Sequence, residues 1–63
     1  MDATQVEPLN LDSEQLVILA EVLESERARL LVEIRHTDHR SYREELRHRL
    51  VVVEQLLDHV HRT

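Results

Sequence analysis

The stretch EIRHTDHRSY, residues 33–42, decides the fold of this chain, because it holds the only turn-forming residues, Thr37 and Asp38, between two long helical patterns. Apolar residues on the two sides of this point pair off at a nearly constant sum of residue numbers. Since residues three and four apart share one face of a helix, such mirror pairs are typical of an antiparallel helical hairpin. The pairs are Ile34 with Tyr42, Leu30 with Leu46, Leu23 with Val53, Leu19 with Leu57, and Leu16 with Val60.

The first helix is predicted over residues 13–36. Asp12 is its expected N-cap, because its side chain can accept a hydrogen bond from the Gln15 amide while the Gln15 side chain reaches back to the Asp12 amide, as in a capping box. Residues 1–11 are expected to form a flexible or extended lead, since Pro8 disfavours helix at the residue before it.

The second helix is predicted over residues 39–61, with Asp38, or alternatively Thr37, as its N-cap. A connection this short makes the two helices antiparallel neighbours. Neither predicted helix contains glycine or proline, so nothing in the sequence breaks them. The expected fold class is therefore all-α, with one helical hairpin over residues 12–63.

Composition excludes several classes of function. With 63 residues and no cysteine, the chain is one domain near the lower size limit, without disulfides or cysteine-ligated zinc. The sequence offers no glycine-rich loop, Ser-His-Asp arrangement or catalytic carboxylate pair, which predicts a protein that is not an enzyme and holds no cofactor. No apolar run approaches the ~20 residues of a membrane span. Residues 1–8 lack the basic start and apolar middle of a signal peptide, so a cytoplasmic location is expected.

A second apolar surface accompanies the predicted core. Leu19 and Val22 flank the core stripe of the first helix, and Val52 and Leu56 flank that of the second. Because the helices are antiparallel, these flanks emerge on the same side of the hairpin, and together they are too wide for a solvated face. The sequence therefore predicts a homodimer, in which two hairpins pack as a four-helix bundle, that contacts another protein.

Charged and aromatic residues are predicted to complete this interface. Arg27 and Arg49 border the apolar layers near mid-helix, where Glu26 and Glu45 can neutralise them. The two arginines either snorkel to water or form a polar layer that fixes register. Tyr42, the only aromatic residue, is expected to fill the core at the start of the second helix, with its hydroxyl at the edge. The expected interface residues are Leu19, Val22, Glu26, Arg27, Tyr42, Arg49, Val52 and Leu56.

The net charge of −5 is unevenly distributed along the chain. Residues 1–26 contain acidic residues and no Lys or Arg, whereas residues 27–49 hold seven of the eight arginines. A hairpin would therefore have a basic turn end and an acidic open end. These are either ordinary solvated charges, or they favour two hairpins whose turns lie at opposite ends, basic against acidic.

Three alternative readings stay open. An arginine stripe near the turn could hold phosphates in a small RNA-type regulator, although it lacks interleaved aromatic residues and is equally explained as a solvated face. Histidines at both ends of the hairpin could bind zinc, but their spacing matches no metal motif, and helix-terminal histidines also interact with the helix dipole. An adaptor role would use exposed apolar residues of the first helix. The arginine stripe consists of Arg35, Arg40, Arg43 and Arg47, and the histidines are His36, His39, His59 and His61. The exposed apolar residues of the adaptor alternative are Ile18 and Val32.

The segment Glu33-Ile34-Arg35-His36-Thr37-Asp38, followed by Tyr42-Arg43, Leu46 and Arg49, resembles a group of short bacterial proteins whose activity is not established. They share an acidic-apolar first helix, a Thr-Asp turn and an aromatic-Arg pair that opens the second helix. The resemblance covers about residues 11–60 and implies a helical hairpin. It implies no activity, cofactor or partner.

Overall fold

The computed structural model describes residues 11–62 and contains two helices. Helix α1 spans Ser13–His36 and helix α2 spans Arg40–Arg62. They pack against each other as an all-α hairpin, which confirms the prediction made from the mirror pairs. Neither helix is long and apolar enough to cross a membrane. Of the predicted lead over residues 1–11, only Leu11 lies within the described residues.

The predicted capping box at the start of α1 is confirmed. The Gln15 amide donates to Asp12 Oδ1 at 2.8 Å, and the Asp12 amide donates to Gln15 Oε1 at 3.1 Å. Asp12 has the extended backbone expected of an N-cap, with φ −81° and ψ 176°. Two of the amides left without partners at a helix start are therefore satisfied by side chains.

The connection is one residue longer than predicted. Thr37 has an extended backbone, and its amide still donates to Glu33 O at 2.9 Å, which ends α1. His39 O accepts from the Arg43 amide at 2.9 Å, so His39 occupies the N-cap position of α2 rather than the predicted Asp38 or Thr37. With Thr37 still bonded to α1, the chain needs two further residues to reverse before the next helix begins.

The core is a single line of side chains between the helices. Leu30 is fully buried, with 0% of its surface exposed, and its mirror partner Leu46 is buried beside it. Leu23 and its mirror partner Val53 form the next layer toward the open end. Half-buried side chains close the edges of this line. The five buried residues are Leu23, Leu30, Leu46, Val53 and Leu57, and those packed against them are Leu19, Ile34, Leu50 and Val60.

The prediction that Tyr42 fills the core is wrong for the hairpin, because 47% of its surface is exposed. Tyr42 lies in the first turn of α2, opposite the last turn of α1. Since α1 stops at His36, no further turn covers a ring of this size. Tyr42 is therefore part of the surface of the hairpin.

Replacing Leu30 with Ala is expected to lower the free energy of unfolding by about 2–5 kcal/mol, because it removes a fully buried side chain and leaves a cavity. Urea unfolding followed by circular dichroism, at one fixed protein concentration, measures the change. Val32→Ala is the matched control, since Val32 is an exposed aliphatic residue of the same helix. Equal losses in the two variants would contradict the single buried seam.

Candidate functional site

Two ion pairs cross between the helices and mark two faces of the hairpin. Arg49 Nε donates to Glu26 Oε2 at 2.5 Å, and we call this side the front face. Arg27 Nε lies 3.5 Å from Glu54 Oε2, and we call that side the back face. Adjacent residues are about 100° apart around an α-helix, so Glu26 and Arg27 flank the buried line through Leu30 on opposite sides.

The front face carries an open apolar groove that spans both helices. Val22, Val52 and Leu56 form its walls, Leu23 and Val53 form its floor, and its volume is about 300 Å³. The wall residues are exposed over 58%, 40% and 46% of their surfaces, respectively. The structure thus brings together three of the four flanking residues predicted to form the dimer interface. The fourth, Leu19, is half-buried against the core.

A charged cluster closes the groove on the side of the turn. Arg29 donates to both carboxylate oxygens of Glu26, at 2.7 and 2.9 Å, and also binds Glu33. These bonds from Arg29, together with the bond from Arg49, lower the pKa of Glu26 from 4.5 to about 2. The bond to Glu26 also raises the pKa of Arg29. The cluster therefore stays fully charged at neutral pH.

Arg29 was missed by sequence reasoning, although its spacing signals the contact. Residues three and four apart on a helix are surface neighbours, which places Arg29 between Glu26 and Glu33. The second bond to Glu26, from Arg49 of α2, has no such local signal. It depends on how the two helices are rotated against each other.

Arg27 lies on the opposite face of the hairpin from Arg49, whereas the sequence suggested that the two could form one polar layer. Arg27 contacts Glu24 at 3.6 Å and Glu54 at 3.5 Å on the back face, and all three side chains are about half exposed. Exposed pairs of this kind contribute little to stability. Of the two arginines predicted at the interface, only Arg49 borders the groove.

The arginine stripe is partly committed to the hairpin itself. Arg43 Nη2 donates to Thr37 O at 2.5 Å, and its Nε is buried. Arg47 Nη1 lies 3.3 Å from Glu44 Oε1. Arg35 and Arg40 are exposed. Arg43 therefore links the connection to α2, and Arg43 and Arg47 of the stripe already have partners within the chain.

The residues of the remaining alternatives do not converge on one site. Among residues 11–62, no group of three or more His, Cys, Asp or Glu side chains comes close enough to hold a metal ion. Ile18 and Val32, the candidate adaptor residues, are both exposed on α1, and neither lines the front-face groove. The front-face groove, in contrast, brings apolar side chains of both helices together with the charged pair Glu26 and Arg49.

Comparisons with protein-family models, with curated proteins and with solved structures gave no match to this chain. The resemblance to short bacterial hairpin proteins therefore stays a prediction from the sequence. Function has to be inferred from the chemistry of the surface, since a helical hairpin by itself implies no activity.

Acid is expected to weaken the folded state through Glu26. The pKa of Glu26 is about 2 in the folded state and 4.5 in its absence, so its carboxylate stabilises the folded state fully above pH 4.5. This stabilisation is lost as the pH falls from 4.5 toward 2. Glu26→Gln should be less stable than the wild type at about pH 7 and should lose less stability between about pH 5 and pH 2.5. Urea unfolding at each pH measures both effects.

Glu24→Gln is the control for this experiment, because the Glu24 carboxylate has a single 3.6 Å contact on the back face. It should keep the acid dependence of the wild type. If Glu26→Gln also keeps it, the front-face cluster does not stabilise the fold through ionised Glu26.

Removing the Arg43 side chain is expected to destabilise the hairpin at its connection. Arg43→Ala should lower the free energy of unfolding by about 1–2 kcal/mol, because it deletes a charged donor to the Thr37 carbonyl. Arg40→Ala should change it by less than ~0.5 kcal/mol, since Arg40 is exposed at the start of α2. Thermal and urea unfolding of the pair measure the difference, and equal behaviour would mean that the Arg43 contact contributes nothing.

Proposed function

We propose that this chain is a noncatalytic protein–protein interaction module that acts as a homodimer, with two hairpins packed front face to front face as a four-helix bundle. The observation that carries the proposal is the groove walled by Val22, Val52 and Leu56, which takes one wall from α1 and two from α2. A partner that covers both helices buries all three of these walls at once. A second hairpin has the required width and the required apolar surface.

Burial of the groove supplies a driving force that the hairpin alone lacks. Moving apolar surface out of water contributes about 25 cal/mol per Å², or about 1.5–3 kcal/mol for a fully buried Val or Leu side chain. A domain of 63 residues has little stability to spare, so several exposed aliphatic side chains on one face represent a large fraction of the total. Self-association recovers this contribution from both copies.

The charged cluster favours the same face as an interface with a defined register. Glu26 already accepts from Arg29 and Arg49 within one chain, so covering it does not leave an isolated carboxylate without partners. Polar groups beside an apolar seam oppose sliding of one subunit along the other. We therefore assign Glu26 and Arg49 to register, and Leu19, Val22, Val52 and Leu56 to affinity.

The protonation states at the groove also favour binding over catalysis. A general acid or base works best with a pKa near the operating pH. The pKa of Glu26 is lowered to about 2 and that of Arg29 is raised, so both groups move away from neutrality. The RNA-type alternative depends on the arginine stripe, in which Arg43 and Arg47 already have partners within the chain.

Two valines of α1 provide a matched test. Val22 and Val17 are each 58% exposed, but only Val22 lines the groove. Val22→Glu should abolish dimers, because the new carboxylate would be buried against the second copy without a partner. Val17→Glu should leave them intact. Light scattering coupled to size-exclusion chromatography reports mass, and the wild type should run at twice the 7.5 kDa of one chain.

Circular dichroism of both variants verifies that each remains helical. A wild type that stays monomeric at about 100 μM would overturn the homodimer, since a specific dimer has a much smaller dissociation constant. Dissociation by Val17→Glu but not by Val22→Glu would move the interface to another face.

A further inference from the structure

The front face is divided into two zones along the helix axes. Toward the open end it is apolar, with Val22 on α1 and with Val52 and Leu56 on α2. Toward the turn it is mainly charged, and it also carries Tyr42, which is 47% exposed and interacts electrostatically with Arg29. The change occurs at the same level on both helices, because Glu26 and Arg49 are in contact across the seam. The charged zone contains Glu26, Arg29 and Glu33 on α1 and Arg49 on α2. Glu45 extends it, because residues four apart on a helix share one face and Glu45 is four residues before Arg49.

We propose that the two hairpins of the homodimer pack with their turns at the same end. The twofold symmetry axis of the dimer then runs parallel to the helices, and α1 of each copy lies on α2 of the other. This inference rests on the homodimer proposed above. Turns at opposite ends were one of the two interpretations of the charge distribution along the sequence. The distribution of apolar and charged groups on the front face favours the reverse orientation.

The same-end arrangement fits the apolar zones together. Leu23 and Val53 form the floor of the groove together and are a mirror pair in sequence, so Val22 is level with Glu54, midway between Val52 and Leu56. When α1 of one copy lies on α2 of the second copy, the Val22 side chain enters the space between Val52 and Leu56. The symmetry axis repeats this contact, which gives the knobs-into-holes packing of a helical bundle.

The same arrangement joins the charged zones with complementary signs. The mirror register, with which the Glu26–Arg49 contact agrees, puts Leu30 level with Leu46 and Arg29 level with the stretch between Glu45 and Arg49. Glu45 makes no ion pair in the part of the chain that the structure describes, residues 11–62. Same-end packing brings Arg29 next to both Glu45 and Arg49 of the second copy. Arg49 is already neutralised by Glu26 of its own chain, whereas Glu45 gains an opposite charge that stabilises it.

The opposite-end arrangement places unlike zones in contact. Its axis crosses the helices, so α1 lies on α1 and Val22 covers the region of Arg29 in the second copy. The carboxylates and guanidinium groups of the charged zone would then lose water to apolar side chains that offer no hydrogen bonds. Sliding the copies until the apolar zones overlap would leave both turn halves outside the interface and bury less surface.

The basic turn end does not oppose this orientation, because Arg43 and Arg47 lie away from the front face while Arg29 and Arg49 are paired there with Glu26. Arg43 and Arg47 share one face of α2 with Leu50 and Glu54, because residues three and four apart lie on the same side of a helix. Glu54 contacts Arg27, which identifies this side as the back face. In a face-to-face dimer the two back faces are separated by the whole bundle. That distance, about 20 Å for two layers of helices, exceeds the ~8 Å screening length at physiological salt.

The orientation can be measured directly with a single spin label. The chain has no cysteine, so Asp38→Cys introduces one labelling site in the connection between the helices. In a same-end dimer the two labels should lie within about 25 Å, because neighbouring helix layers are about 10 Å apart. In an opposite-end dimer they should lie about 40 Å apart, since each helix is about 35 Å long.

Pulsed electron–electron double resonance on the full-length labelled dimer gives this distance, and dilution with unlabelled chains confirms that it is intermolecular. Ser13→Cys at the open end is the second variant, and it should also give a short distance. Long distances from both sites would overturn the same-end orientation and leave the homodimer in place. A monomeric mass in light scattering would instead overturn the homodimer itself, so the two failures are distinguishable.

Discussion

The burial of Leu30 against Leu46, continued by Leu23 against Val53, is the contact on which the rest of the structure depends. This seam is only one side chain wide. Every residue beside it therefore lies on the front or the back of the hairpin, and the rotation of each helix about the seam decides which. The groove, the front-face ion pairs and the separate Arg27 contacts all follow from that rotation.

The front face combines a solvent-exposed apolar surface with charged groups that already have partners within the chain. Glu26 has two guanidinium partners within the chain, whereas Val22, Val52 and Leu56 have water on one side. Exposed aliphatic groups provide a force for association, and fixed charges provide a constraint on its geometry. This division of roles explains why we place affinity and orientation on the same face but on different residues.

The connection shows how an arginine that looks functional in sequence can be structural. The chain reverses without any residue of positive φ within residues 11–62, which suits a sequence that contains no glycine. The Thr37 carbonyl, which lies beyond the last turn of α1, is instead satisfied by Arg43 from α2. A cation engaged in this way cannot be distinguished by composition from one that awaits a phosphate.

The sequence by itself determined the two helices, the capping box at Asp12 and the buried mirror pairs, because these depend on spacing along one chain and on the short connection. Only the tertiary structure decided that Arg49 meets Glu26 while Arg27 lies on the other face, that Arg43 reaches Thr37, and that Tyr42 is exposed. Those features depend on the rotation of one helix against the other and on where the chain reverses, which no local pattern specifies.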